Sequence, residues 1–397
     1  MRGGVVRPAG EPSAPVAVGV ALLGCLFGLG VLVHECRDMV RVFPAAAALA
    51  GFLLLLTLGV GYLLPRRIRP VVEPPHAGSI VCVVWGMTAA AGCAILANTG
   101  LGDIWAKTRG VDFADTWGAA VTAPFNEETL KLCGLLILAL IGSGVIRAPI
   151  DGWVYGALVG LGFQVVENLL YALNTILLDG ATDPGASVNA SFAVRVGITG
   201  WGSHWAMSAV AGTGVGYLVA RDGRPLARRV SVALGCWVLA MAMHGFFNAP
   251  LPPGWRGVLA RVGVDFVVAM LVYRSARRHY LARFREVAAE EAATGAIRPV
   301  EAELLPRRYS RRQVRGGPRP RPVRVLIGEI EEAQLALVAG RIPRADPSEP
   351  VRSERLREEI ATLRAHLRAR PVAGPGWPTA SPGGSSAPGG ATAPGGA

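Results

Sequence analysis

The sequence predicts an all-α fold: a polytopic membrane helix bundle of about eight transmembrane helices with a partly disordered cytoplasmic tail. Three observations carry this reading. Apolar residues make up 51% of the 397 residues and charged residues only 17%, against about 25% charged in soluble domains. Apolar runs recur at roughly the 20-residue length that a helix needs to cross hydrocarbon. The formal charge of +12 is uneven: residues 1–274 hold 19 Lys+Arg against 15 Asp+Glu, and residues 275–397 hold 21 Arg against 13 acids.

These numbers exclude several classes. The six cysteines show no CxxC spacing and mostly sit in apolar runs, so they read as small hydrophobes, not as a disulfide scaffold or metal cage. The first two-thirds of the chain has no basic face for nucleic acid. The excess of arginine in the tail suits an anionic membrane surface.

The expected spans are 16–33, 42–64, 80–97, 116–141, 150–178, 197–220, 230–249 and 257–274. In lipid the backbone must bond to itself, so each is helical. Arg66, Arg67 and Arg69 follow the second span. Arg221, Arg224, Arg228 and Arg229 follow the sixth, and Arg274, Arg277 and Arg278 the eighth. The excess of positive charge marks the cytoplasmic side, which puts both termini inside. Within the fourth span, Pro124 suits a first helical turn, with 112–123 as a separate re-entrant or interfacial piece.

Beyond the core (1–274), the tail (275–370) opens with a helix over 276–292. An Arg/Pro/Gly-rich stretch from Arg307 to Arg324 reads as extended. An amphipathic helix from Val351 to Arg370 carries Leu356, Ile360, Leu363 and Leu367 on one stripe, for which the segment from Val325 to Ile342 is a partner. The end, 371–397, is Pro/Gly/Ser/Ala-rich low complexity and reads as disordered.

Ionisable groups inside hydrocarbon are costly and point to function. Four spans carry them: Glu127, Glu128 and Lys131 in the fourth, Glu167 with Asn168 in the fifth, His204 in the sixth, and His244 with Asn248 in the seventh. Asp265 in the eighth reads as structural. Spacings of four put Glu127 with Lys131, Glu167 with Tyr171, and His244 with Asn248 on shared helix faces. At 1.5 Å rise per residue, Glu127 and Glu167 lie roughly 16 Å below the outer ends of their spans, His204 about 10 Å and His244 about 8 Å. Four helices thus bring carboxylates and imidazoles to the outer half of the membrane. Such groups are zinc ligands, and a further carboxylate can take a proton from a bound water. The set reads as metal-assisted hydrolysis of a peptide bond.

The blocks FNEETLK (125–131) and FQVVENLLY (163–171), the span-six His204 and HGFFN (244–248) together resemble the PrsW family, over roughly residues 80–274. That family is grouped with other glutamate-type membrane proteases, including the type II CAAX prenyl endopeptidases. The resemblance implies a multi-spanning bacterial protease of the cytoplasmic membrane, acting on a membrane-anchored protein such as an anti-sigma factor near the extracytoplasmic side. Carried over by position, Glu127 and Glu128 match the essential acidic motif, and His204, His244 and Asn248 match the later His and HxxxN positions. Glu167 stands where the prenyl endopeptidases have histidine.

The resulting assignment has Glu127 as general base, with Glu128 as the alternative, Lys131 setting the charge, and Asn248 steadying the oxyanion. Glu167, His204 and His244 hold zinc or another divalent metal. A metal-free variant has a glutamate activate water while His244 and Asn248 hold the oxyanion. Expected partners are the anchored substrate, the bilayer and a cytoplasmic partner of the tail, with no nucleic acid. Two rival classes stand beside this one: a proton- or ion-coupled transporter, since buried Glu, Lys and His also serve proton relays, and a catalytically silent scaffold working through its tail.

Overall fold

The computed structural model describes residues 13–142, 144–220, 223–317, 319–342 and 349–369. Arg221 and the low-complexity end, 371–397, lie outside the described residues. Among the described residues there are helices and no strand. In the membrane part these are α1 (Ser13–Val42), α2 (Pro44–Ile68), α3 (His76–Trp85), α4 (Ala91–Arg109), α5 (Val111–Ile141), α6 (Pro149–Leu178), α7 (Pro184–Phe192), α8 (His204–Val219), α9 (Leu226–Asn248) and α10 (Gly254–Ala293). A π-helical turn, Gly86–Ala90, joins α3 and α4 into one rod.

Five of these are long and apolar enough to cross a bilayer: α1, α2, the α3–α4 rod, α6 and α9. The other three expected spans are helical as well, but α8 has only 16 residues. In α5, Glu127, Glu128 and Lys131 interrupt the apolar run, and in α10 Arg261 and Asp265 do. Apolar side chains such as Leu23, Phe27, Leu55 and Leu234 point outward, as a lipid-facing surface requires.

The bundle is built around α6, in which every residue from Ile150 to Val166 is buried. Small residues let its neighbours approach. A Cβ added to Gly156 would lie 2.1 Å from the Ser208 carbonyl oxygen of α8, and one added to Gly160 would lie 2.3 Å from that of His204. Without a hydrophobic driving force between helices in lipid, such close backbone contact is a main source of association. It also fixes α6 against α8 at the level of Glu167 and His204.

Pro124 does not open a helix, as its type suggested. It lies inside α5, which runs unbroken through the 112–123 stretch. A proline there leaves the carbonyl one turn back without its donor, and neighbouring helices are what make such a gap tolerable in a membrane. Here α9 packs beside it: a Cβ on Gly245 would sit 3.3 Å from the Ala120 carbonyl, and Asn248 Nδ2 donates to the neighbouring Ala119 carbonyl at 3.4 Å.

The tail continues with α11 (Pro299–Leu304), α12 (Arg308–Gly316), α13 (Arg321–Gly340) and α14 (Glu349–Arg368). The expected helix over 276–292 is the end of α10, and α13 and α14 pair as their stripes predicted. The stretch from Arg307 to Arg324 is not extended: α12 and the start of α13 occupy it. Two of its arginines, Arg308 and Arg311, bond to the chain that follows α2. Arg308 donates to the carbonyls of Arg69 (2.7 Å) and Arg67 (3.0 Å). Arg311 donates to Val71 O (2.6 Å) and pairs with Glu331 (2.8 Å). Tyr280, Phe284 and Val287 of α10, Leu337 and Val338 of α13 and Ile360 of α14 form a core that continues into Val71 and Ile150. The tail therefore packs on the bundle.

Glu291, fully buried near the end of α10, anchors this unit by accepting from Arg341 at 2.5 Å and from both nitrogens of Arg357 at 2.8 and 2.9 Å. Burial alone would raise its carboxyl, but the hydrogen bonds from Arg357 and Arg341 outweigh burial and hold it below the usual carboxylate range. A carboxyl lowered on folding stabilises fully above the ordinary glutamate value of about 4.3 and loses its contribution as pH falls through the folded value. The protection of α13 and α14 amides, taken relative to the intrinsic exchange rate at each pH, should therefore fall on acidification below about pH 4.3, and Glu291→Gln should flatten that dependence.

The packing seam gives a second expectation. Gly160→Leu should destabilise the bundle by more than the roughly 1–3 kcal/mol of ordinary overpacking, because backbone must move. Thermal unfolding in detergent checks it, with Gly235→Leu, where nothing lies within 4 Å of an added Cβ, expected to leave the midpoint unchanged.

Candidate active site

The polar residues of α5, α6, α8 and α9 meet in one buried network. Glu127, Glu128 and Lys131 are at most 4% exposed, as are His204 and His244. Helical spacing brings Lys131 back onto both glutamates: Nζ donates to Glu128 Oε1 at 2.9 Å and to Glu127 Oε2 at 3.3 Å. It also lies 2.9 Å from His204 Nδ1 and 3.9 Å from the centre of the Phe163 ring. The two imidazoles stand edge to face, 5.0 Å apart.

Each histidine is held from behind by a carboxylate. Glu167 Oε2 is 2.7 Å from His204 Nε2. Glu128 Oε1 is 3.0 Å from His244 Nδ1, and Ser208 donates to Glu128 Oε2 at 3.3 Å. With those nitrogens protonated, the lone pairs of His204 Nδ1 and His244 Nε2 face inward. Glu127 Oε2 lies 3.7 Å from both of them, too far for a direct hydrogen bond.

Three residues the sequence reading did not single out complete the network. Asn98 of α4 donates to Glu127 Oε1 at 2.9 Å and accepts from Asn126 at 3.2 Å. Ser208 is the second. The third is Arg195, on the π-helical segment Ala193–Ile198. It donates to Glu167 Oε2 at 2.6 Å and to Asn168 Oδ1 at 2.8 Å, with its guanidinium 3.6 Å from the centre of the Tyr171 ring.

Of the expected site residues, Glu127, Glu128, Lys131, Glu167, His204 and His244 come together. Asn248 does not reach the network; it is bonded to Ala119, one turn outward of His244. Asp265 is fully buried and makes no hydrogen bond to the cluster.

The donor set that converges is not the expected Glu167, His204 and His244. Among the described residues it is Glu127, His204 and His244, one donor atom from each lying within 4.8 Å of the others. Glu167 stands one step behind, its Oε2 engaged by Arg195 and His204. One carboxylate and two imidazoles suit zinc and similar divalent ions. Carboxylates on the far nitrogens are the usual orienting partners of metal-binding histidines. The residues present therefore fit a divalent metal.

Residues 74–275, about half of the chain, match the PrsW family intramembrane metalloprotease. The chain belongs to that family. Comparison with curated proteins and with solved structures gave no match. As a PrsW family member the protein is a membrane-embedded peptidase, and the His/Glu cluster is where this chain could hold the family's metal.

Lys131 is the only cation touching both Glu127 and Glu128 among the described residues. Removing one partner of a buried ion cluster typically costs about 3–5 kcal/mol. Lys131→Met should lower stability by that order in thermal unfolding, and Glu128→Gln in the same chain should restore part of the loss.

Proposed function

We propose that this PrsW family member hydrolyses a peptide bond of a membrane-anchored protein near the extracytoplasmic side, with a membrane-anchored anti-sigma factor as a substrate of the right kind. The observation that carries this reading is the convergence of Glu127, His204 and His244, each imidazole held from behind by a carboxylate. The membrane is a bacterial cytoplasmic membrane with both termini inside. The placement of Arg66, Arg67, Arg69, Arg228, Arg229, Arg274 and Arg277 at one end of the bundle, where the tail docks, supports this orientation. Residues 1–274 act as the protease core. Residues 275–370 act as a cytoplasmic unit, docked on the bundle, that can engage a partner.

The division of labour follows from the contacts. His204 Nδ1 and His244 Nε2 are the nitrogen donors for a divalent cation, zinc being the best match to the donor set. When bound, the cation supplies Lewis acidity toward the peptide carbonyl and lowers the pKa of water. Glu167 and Glu128 fix the two rings in the tautomers that leave these nitrogens free. Lys131 Nζ lies 2.9 Å from both His204 Nδ1 and Glu128 Oε1, so it is the group that would compete with a cation for that nitrogen. Asn98 holds Glu127 Oε1 and turns Oε2 toward the imidazoles; of the three converging donors the two imidazoles would hold the cation, and Glu127 would take the proton of the attacking water instead of serving as a ligand. An oxyanion role for Asn248 would require its amide to leave the 3.4 Å bond to Ala119 and turn inward.

In reconstituted vesicles with an anchored reporter, Glu127→Gln should abolish cleavage while the thermal unfolding midpoint stays near that of the parent chain. Full activity in that variant would falsify the assignment. Bound metal, counted by elemental analysis, should vanish in His204→Ala and His244→Ala. In Glu167→Gln, affinity should fall by roughly 10–100-fold, the usual cost of losing an orienting partner.

A further inference from the structure

Beside the cluster, at the outer end of the bundle, lies a second feature that the hydrolytic chemistry does not use. The segment Ala193–Ile198, the end of α9 and the first turns of α10 line a half-open pocket of about 170 Å³. Its walls include Val194, Phe247, Val258 and Val262, with the guanidinium groups of Arg195 and Arg261 among them. At about 30 Å³ per liquid water, it has room for several waters or one side chain.

The two arginines differ in how their charge is met. Arg195 is paired with Glu167. Arg261 donates to the carbonyls of Ala249 and Pro252, its Nε is buried without a partner, and no carboxylate among the described residues lies within ion-pair distance of it. A guanidinium without a counter-ion at the edge of hydrocarbon is costly and marks a functional site by default. A carboxylate is the group its fork fits best, and no carboxylate lines the cavity to supply one.

The cavity is also next to the chemistry. Arg195 reaches Glu167 at 2.6 Å, and Glu167 reaches His204 at 2.7 Å. Phe247 follows His244 by three residues on α9, about 4.5 Å along the axis. A group filling the cavity is therefore a near neighbour of a bond held at the cluster.

We infer that this cavity is a substrate subsite that takes an acidic side chain, aspartate or glutamate, from the juxtamembrane segment on the outer side of the scissile bond, with Arg261 as the specificity-determining residue. The inference rests on the peptidase reading of the adjacent cluster. Arg195, which lines the same pocket, couples occupancy of the subsite to the carboxylate that orients His204.

The test uses the full chain in phosphatidylcholine vesicles and single-span reporters that differ at one residue, Asp, Asn or Lys, scanned through the outer juxtamembrane segment. A charge-assisted hydrogen bond contributes enough to favour Asp over Asn by about tenfold or more in kcat/KM at one position, mainly through KM. Arg261→Gln should bring that ratio close to one, and Arg261→Glu should turn the preference toward Lys. Val258→Glu, which places a carboxylate on another wall, should abolish the Asp preference independently. Binding of the same reporters to the Glu127→Gln chain, read by fluorescence anisotropy, separates the two claims. Selective binding of the Asp reporter with no cleavage by the parent chain would overturn the peptidase reading and leave the subsite standing. Cleavage without an Asp preference, or with one that survives both Arg261→Gln and Val258→Glu, would overturn the subsite alone. An Arg261 effect that follows added phosphatidylglycerol, whatever the reporter residue, would assign the cavity to a lipid headgroup and overturn the inference.

Discussion

The structure depends on one constraint: charge placed inside hydrocarbon must be answered by charge or by hydrogen bonds within the protein. Glu127, Glu128 and Glu167 are three carboxylates in a medium that offers little water, and the polar contacts of the site answer them. Lys131 answers two, from the same helix. His204, His244 and Ser208 bring in α8 and α9, and Asn98 brings in α4. A cluster assembled from five helices holds its geometry because loosening any one of them strands a buried charge, at a cost of several kcal/mol.

Electrostatics alone could not set the register. The glycine seam between α6 and α8 does that. With Gly156 under the Ser208 carbonyl and Gly160 under that of His204, backbone meets backbone at the level of the site. The α6 carboxylate and the α8 imidazole then fall within 2.7 Å without long side chains bridging a gap. The bond at Trp85 follows the same logic on the other side, its indole N–H donating to the Leu130 carbonyl at 2.9 Å and so tying the α3–α4 rod to α5 beside Lys131.

The helical class and the convergence of four polar segments were legible because hydropathy and helical spacing act locally. Glu127 and Lys131 sit four apart on any α-helix, and a charge in an apolar run stands out wherever the helix ends up. The interior position of Pro124 was not legible, because proline is as compatible with a first turn as with a helix that its neighbours repair, and only the tertiary placement of Gly245 and Asn248 decides. Arg195 and Asn98 were missed because they lie just outside the expected spans at 197–220 and 80–97, where a polar residue carries no evident penalty. The placement of Glu167 behind His204 was not legible for a related reason. Composition reveals donor types, but whether a carboxylate meets the shared point or the back of an imidazole is a matter of one rotation about a helix axis. The tail was misjudged over Arg307 to Arg324 because Arg, Pro and Gly favour extended chain unless the guanidinium groups find acceptors, and the exposed carbonyls after α2 supply them.

Charge balance links these contacts to the chemistry. With neutral imidazoles, the three carboxylates of the cluster exceed Lys131 and Arg195 by one negative charge, and that surplus lies where the lone pairs of both histidines point. A cluster balanced to zero would have little affinity for a cation, and one with several unpaired carboxylates would not pack in hydrocarbon. A single surplus charge, with one ammonium shared between Glu128 and His204 Nδ1, lies between these limits. The same economy explains why Glu167 is paired with an arginine from the outer segment. Bonded to Arg195 and His204 at once, it is neutralised on one side and orients a ring on the other, so its position as a second-rank carboxylate follows from the need to keep the interior surplus at one.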